Sequence, residues 1–191
     1  MSPDESGIFI RRTEQMVEIR VIGRGAFQNS RPLRRCAAEM IQRGHRQFML
    51  DLDQCAGMDS TFLGVLTGIG LALRQQKPPG LVQIINANRH NRDLLQSLWL
   101  DRLFRITATA AVRSDFNPAG GEFQKLPDSD LRESPQLFSH EEARELVLTA
   151  HTDLIQADSR NAPKFAEVTH QLRKEEQPPG GNPGQSDGRI N

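Results

Sequence analysis

Asp59, Ser60 and Thr61 place a carboxylate and two hydroxyls in a row, and the apolar residues Phe62, Leu63, Val65 and Leu66 follow. Shortly before them, residues 48–52 form an apolar run that reads as a strand. The polar triplet therefore sits where a strand hands over to a helix, beside unpaired backbone N–H groups and the partial positive charge of a helix start. Two kinds of chemistry suit that place. An Asp or Ser side chain there can cap the helix, which is worth about 1 kcal/mol. A serine hydroxyl there can also accept a phosphoryl group, because a helix N-terminus tolerates the added anion.

Other chemistries find less in the chain. His45, His90, His140, His151 and His170 are scattered without the spacing of metal ligands, and His140-Glu141 is not continued to a His-Glu-x-x-His motif. Cys36 and Cys55 make no ligand pattern. Cys36 falls on the apolar face of a predicted helix and reads as a buried free thiol. Gly23-Arg24-Gly25 lacks the spacing of a phosphate loop. No nucleophile–base pair can be argued from spacing, so the expectation is a protein without catalytic activity, metal or cofactor.

Formal net charge is zero but unevenly spread. Residues 1–110 carry 15 Lys and Arg against 10 Asp and Glu, whereas residues 111–191 carry 9 against 14. This describes a mildly basic domain with an acidic appendage, without the dense cationic clustering of a nucleic-acid binder. Arg11, Arg12, Arg31, Arg34 and Arg35 read as solvated. The N-terminus lacks a basic and apolar leader, and no apolar run approaches 18 residues, so no membrane insertion and a cytoplasmic location are expected.

The elements that must position Ser60 follow from hydrophobic periodicity. Ile8 to Ile10 is a short apolar run. In residues 16–22, Val17, Ile19 and Val21 alternate with Glu18 and Arg20, as in a half-buried strand that Gly23 breaks. Asn29 and Ser30 offer an N-cap, Pro32 suits a first turn, and Leu33, Cys36, Ala37, Met40 and Ile41 follow at helical spacing up to Gly44. The helix after Asp59 carries Phe62, Val65, Leu66, Ile69 and Leu73 on one stripe. Gly64, Gly68 and Gly70 each cost about 1 kcal/mol of helix propensity against Ala, which points to close packing against a sheet or a partner. Residues 81–85 read as a buried strand, residues 91–100 as a helix with Leu94, Leu95 and Leu98 inward, and residues 104–107 as a last short strand.

This alternation with short connections predicts an α/β domain over residues 8–110. Residues 111–138 read as an acidic, Gly/Pro-rich linker. Residues 139–176 read as two amphipathic helices. Ser139 and Glu142 form a capping box for the first, whose stripe is Ala143, Leu146, Val147, Ala150 and Leu154. The second carries Phe165, Val168 and Leu172. Helices this short must dock, and they are expected to do so on the domain through Leu146, Val147 and Phe165, or else in a homodimer. Residues 177–191 are Pro/Gly-rich and read as a disordered tail.

From Asp59 to Leu66 the sequence resembles the STAS family, the sulfate-transporter and anti-sigma-factor-antagonist domain. The family pattern is a strand, then Asp-Ser-Ser/Thr-Gly-Leu-Gly and an apolar helix, and this chain matches it at Asp59, Ser60, Thr61, Leu63 and Gly64. The likeness extends over about residues 8–110, with Gly23 after the second strand and the Leu94, Leu95, Leu98, Leu103-Phe104-Arg105-Ile106 ending. It implies a small mixed sheet with helices largely on one face. It also implies a regulator switched by serine phosphorylation, with Ser60 as phosphoacceptor and Thr61 as second candidate.

The same resemblance puts Asp59, Ser60, Thr61, Phe62, Arg24 and Asn29 on the partner-binding surface. The partners it implies are an anti-sigma factor serine kinase and a PP2C-type phosphatase. A structural subunit of a lipid-transporting ABC ATPase is the alternative within the same family. Two positions depart from the pattern. Phe62 stands where the family has glycine, and Ala26, after Arg24, replaces an acid used in kinase contacts. On the residues alone, core packing is the favoured role for Phe62.

Overall fold

A computed structural model describes residues 6–14, 16–107, 122–127 and 139–174. Among these, β1 (Gly7–Arg12), β2 (Val17–Gly25), β3 (Gln47–Asp51), β4 (Cys55–Met58), β5 (Leu81–Ile85), β6 (Arg105–Ile106) and β7 (Gln124–Lys125) form one mixed sheet. The order is β6-β5-β3-β2-β1-β7, and β4 adds to the far end of β2. β1 and β2 form an antiparallel hairpin, while β2–β3, β3–β5 and β5–β6 are parallel and joined through helices. Those helices are α1 (Phe27–Gln42), α2 (Ser60–Arg74) and α3 (Arg89–Ser97). Two more, α4 (His140–Ala157) and α5 (Ala162–Lys174), form a C-terminal hairpin.

The alternation read in β2 places the core. Val17, Ile19 and Val21 are buried beside Ile8 and Ile10 of β1, Phe48 and Leu50 of β3, and Val82 and Ile84 of β5. Leu33, Ala37, Met40 and Ile41 of α1 and the stripe of α2 complete that cluster. The opposite side of β2 is not simply solvated. Glu18 is buried and accepts two hydrogen bonds from the Arg11 guanidinium, so Arg11 is a buried ion-pair partner rather than the solvated residue expected. Phe123 lies under both Arg11 and Arg20, with the guanidinium carbons 4.6 and 4.4 Å from its ring centre.

Four local expectations are corrected. β2 runs on through Gly23 to Gly25, because β4, which was not foreseen, pairs with it beyond a bulge. Gly23 takes a φ of +80° at that bulge, a conformation that glycine adopts at least cost. α1 starts at Phe27, three residues before the expected cap at Ser30. Within the expected linker, β7 pairs antiparallel with β1. Finally, the well-buried thiol is Cys55, while Cys36 is half-buried; burial raises the pKa of both. Residues 111–121 and 128–138 of the linker and the 177–191 tail lie outside the described residues.

The hairpin packs on the domain. Leu146, Ala150 and Leu154 of α4 are buried in the domain's own core cluster, with Phe165 of α5 packed against it. Val147 is only half-buried, so His151, one turn further on, takes the inward role expected of it. Ser139 and Glu142 form the expected capping box. At the other end the Asn161 side chain donates to the carbonyls of Leu98 and Leu154, tying the α4–α5 corner to the end of α3.

Candidate functional site

The N-termini of α1 and α2 lie side by side, and one carboxylate holds both. Asp59 is the N-cap of α2, and its Oδ1 accepts the Phe62 N–H at 2.8 Å. Its Oδ2 accepts the N–H of Phe27, the first residue of α1, also at 2.8 Å. Ala26 stands at the cap of α1 and has no side-chain oxygen to offer. The acid missing there is replaced, for capping, by one 33 positions along the chain at Asp59. This explains why α1 starts earlier than its local sequence suggests.

Asn29 completes the turn from within. Its Oδ1 accepts the Ala26 N–H at 2.8 Å, and its Nδ2 donates to the Arg24 carbonyl at 3.2 Å. It is buried. Ser30 is also buried and donates from its hydroxyl to the Ala26 carbonyl at 2.9 Å. Both residues therefore shape the surface without presenting themselves to a partner.

Ser60 opens the first turn of α2 and is half-buried. Its Oγ lies 3.0 Å from Nε2 of His151, which is on α4. The imidazole is 5 % exposed and stacks on the Phe165 ring, with centroids 4.8 Å apart and planes 19° from parallel. Burial lowers the His151 pKa, and the Asp59 charge opposes this more weakly, so the ring is neutral at pH 7. Its Nδ1 is buried and has no hydrogen-bond partner among the described residues.

A hydroxyl–imidazole pair thus exists where spacing along the chain showed none, and His151 is the site residue that sequence reading missed. The available signal was its place on the α4 stripe, four residues after Val147 and three before Leu154. A nucleophilic serine also needs a third group to orient the base. Among the described residues no group meets Nδ1, and both oxygens of the nearby Asp59 accept helix N–H groups.

The other predicted site residues divide by exposure. Arg24 is exposed at the end of β2, and Asp59 is half-buried beside Ser60. Thr61 is 7 % exposed and Phe62 is fully buried, so neither can contact a partner directly in this conformation. The Phe62 ring covers Gly25, where an added Cβ would sit 2.5 Å from Cδ1 of the ring. The ring fills the corner between the end of β2 and α2.

The anti-sigma factor antagonist SpoIIAA in its unphosphorylated form superposes with a TM-score of 0.50 at 16% identity, over 57% of this chain and 93% of that one. The chain has the STAS fold. A putative anti-sigma factor antagonist from Thermotoga maritima gives a TM-score of 0.49 at 17% identity, over 56% of this chain and 89% of that one. An antagonist from Mycobacterium paratuberculosis gives 0.48 at 16% identity, over 57% and 91%. No family model matches the sequence, and no curated protein does. The SpoIIAA match leaves well over a third of this chain without a counterpart.

Proposed function

We propose that this chain is a regulatory binding protein of the anti-sigma factor antagonist type, acting through protein contacts rather than catalysis. Its docking surface is the paired N-termini of α1 and α2 with Arg24 beside them, and its switch is phosphorylation of Ser60. The observation that carries this reading is the position of Ser60. Ser60 is a half-buried serine on the first turn of a helix whose N-terminus adjoins a second one, both held by Asp59.

Phosphoserine would add about −1.5 to −2 charges at pH 7 beside Asp59. The two helix dipoles tolerate that charge, so the fold survives modification. A partner surface shaped for a neutral hydroxyl would meet a dianion, which changes docking without unfolding. Thr61 is the weaker candidate because its side chain is buried. The implied partners are an ATP-binding anti-sigma factor with serine kinase activity and a PP2C-type phosphatase that reverses the modification.

Phosphopeptide mapping of the protein isolated from its own cells tests the site. Phosphate on the peptide bearing Ser60, lost in Ser60→Ala, is the expected result. Phosphate that persists in Ser60→Ala, or none in any growth condition, contradicts it.

A further inference from the structure

We propose that the α4–α5 hairpin is an intrachain lid over the switch site: docked, it withholds Ser60 and the face of α2, and released, it exposes them. This rests on Ser60 being the switch. The contact is direct, since His151 of α4 occupies the hydrogen-bonding position at the Ser60 hydroxyl. It is also shaped for a helix backbone. A Cβ on Gly64 would overlap the Ala150 carbonyl, and one on Gly68 would overlap the Asp153 carboxylate. The glycines that weaken α2 as a helix thus let α4 approach closely along the helix that begins at Ser60.

The docked interface also carries polar groups that weaken it. Among the described residues, Nδ1 of His151 and Oδ1 of Asn161 are buried without hydrogen-bond partners. The Asp153 carboxylate is half-buried in the groove between α1, α2 and α4, where the Arg34 charge compensates it only in part. Buried polar groups left unmatched cost free energy in the docked state that they regain in water. An interface with a good shape fit and unmet polar groups can open while the sheet stays folded.

Ser60→Cys in the full-length chain reads access without any kinase, through the rate of iodoacetamide alkylation at position 60 followed by peptide mass spectrometry. Adding Ala150→Glu, which places a charge against α2, is expected to raise that rate at least tenfold. A second variant, Ser60→Cys with Gly68→Cys and Asp153→Cys, pins the lid. The Gly68 Cβ position is 4.0 Å from Cβ of Asp153, within disulfide range. Alkylation at position 60 is expected to be at least fivefold slower with that disulfide formed than with it reduced.

Equal rates in the oxidised and reduced forms overturn the proposal, and so do equal rates with and without Ala150→Glu in a chain whose sheet circular dichroism is intact. If Ala150→Glu unfolds the sheet, the disulfide comparison decides alone. Phosphate mapping in Ser60→Ala judges the switch site separately, so failure of one reading is not mistaken for failure of the other.

Discussion

The Ser60 hydroxyl and the His151 imidazole, 91 residues apart in sequence, meet at 3.0 Å. The neighbouring α4 acid, Asp153, has its pKa raised to about 6 by burial, against the pull of Arg34. These two groups give hairpin docking opposite responses to pH. The folded pKa of His151 is lowered, so its contribution is complete above its unfolded pKa, about 6.5, and is lost as pH falls below it. The folded pKa of Asp153 is raised, so its contribution is complete below about 4 and is lost as pH rises through about 6. In Asp153→Asn, α4 amide protection should therefore hold between pH 7.5 and about 6.5 and fall as pH drops further. In His151→Phe, which keeps a ring against Phe165, it should rise from pH 7 to 4.5. At pH 7.5, Asp153→Asn alone should stabilise docking by about 1 kcal/mol, a figure discounted for solvent screening of a half-buried group. Hydrogen-exchange protection factors read each of these changes.

Gly64→Ala separates helix propensity from close approach. In an isolated helix the change would stabilise by about 1 kcal/mol. Here the added methyl overlaps the Ala150 carbonyl. Docking should instead lose about 1–3 kcal/mol, the usual cost of overpacking. Thermal unfolding should show a lower midpoint, with exchange in α4 rising more than exchange in β3 or β5.

Asp59→Ala removes a cap from two helices at once, because Phe27 and Phe62 both donate to that carboxylate. A loss of about 2–3 kcal/mol in chemical denaturation is expected, more than one cap is usually worth. Asp59→Asn keeps an acceptor for only one of the two N–H groups and should fall between. A loss no larger than that of a single exposed cap would show that α1 does not depend on Asp59.

These couplings explain which parts of the molecule were legible in the sequence. The stripe of α2, the β5 strand and the Ser139–Glu142 capping box could be read because each is local, set by periodicity or by residues three apart. The start of α1 could not, since its cap comes from Asp59. Arg11 read as solvated because its partner Glu18 lies across the β1–β2 hairpin. β4 and β7 are only four and two residues long, too short to show a period, and they exist as additions to β2 and β1. Gly64 and Gly68 announced close packing but not what would pack. Ser60 was visible as a site, whereas its occupant His151 depended on how the hairpin folds back.

Phe62 tests the departure at the position next to the hydroxyl pair. Its ring is fully buried against Gly25. Phe62→Ala should cost about 3–5 kcal/mol in denaturant unfolding, as for other large-to-small core changes. Phe62→Gly should cost at least as much, since it also loses helix propensity. A change below 1 kcal/mol would mean that the ring is not part of the core.

The most direct test of the proposed function is partner capture from the protein's own cells with wild type, Ser60→Ala and Ser60→Glu, each in an Ala150→Glu background so that the lid does not limit access. Wild type and Ser60→Ala are expected to retain an ATP-binding anti-sigma factor kinase, and Ser60→Glu to lose it by at least tenfold. Equal retention by all three, or capture of a membrane transporter ATPase in place of a kinase, would contradict a serine-switched antagonist.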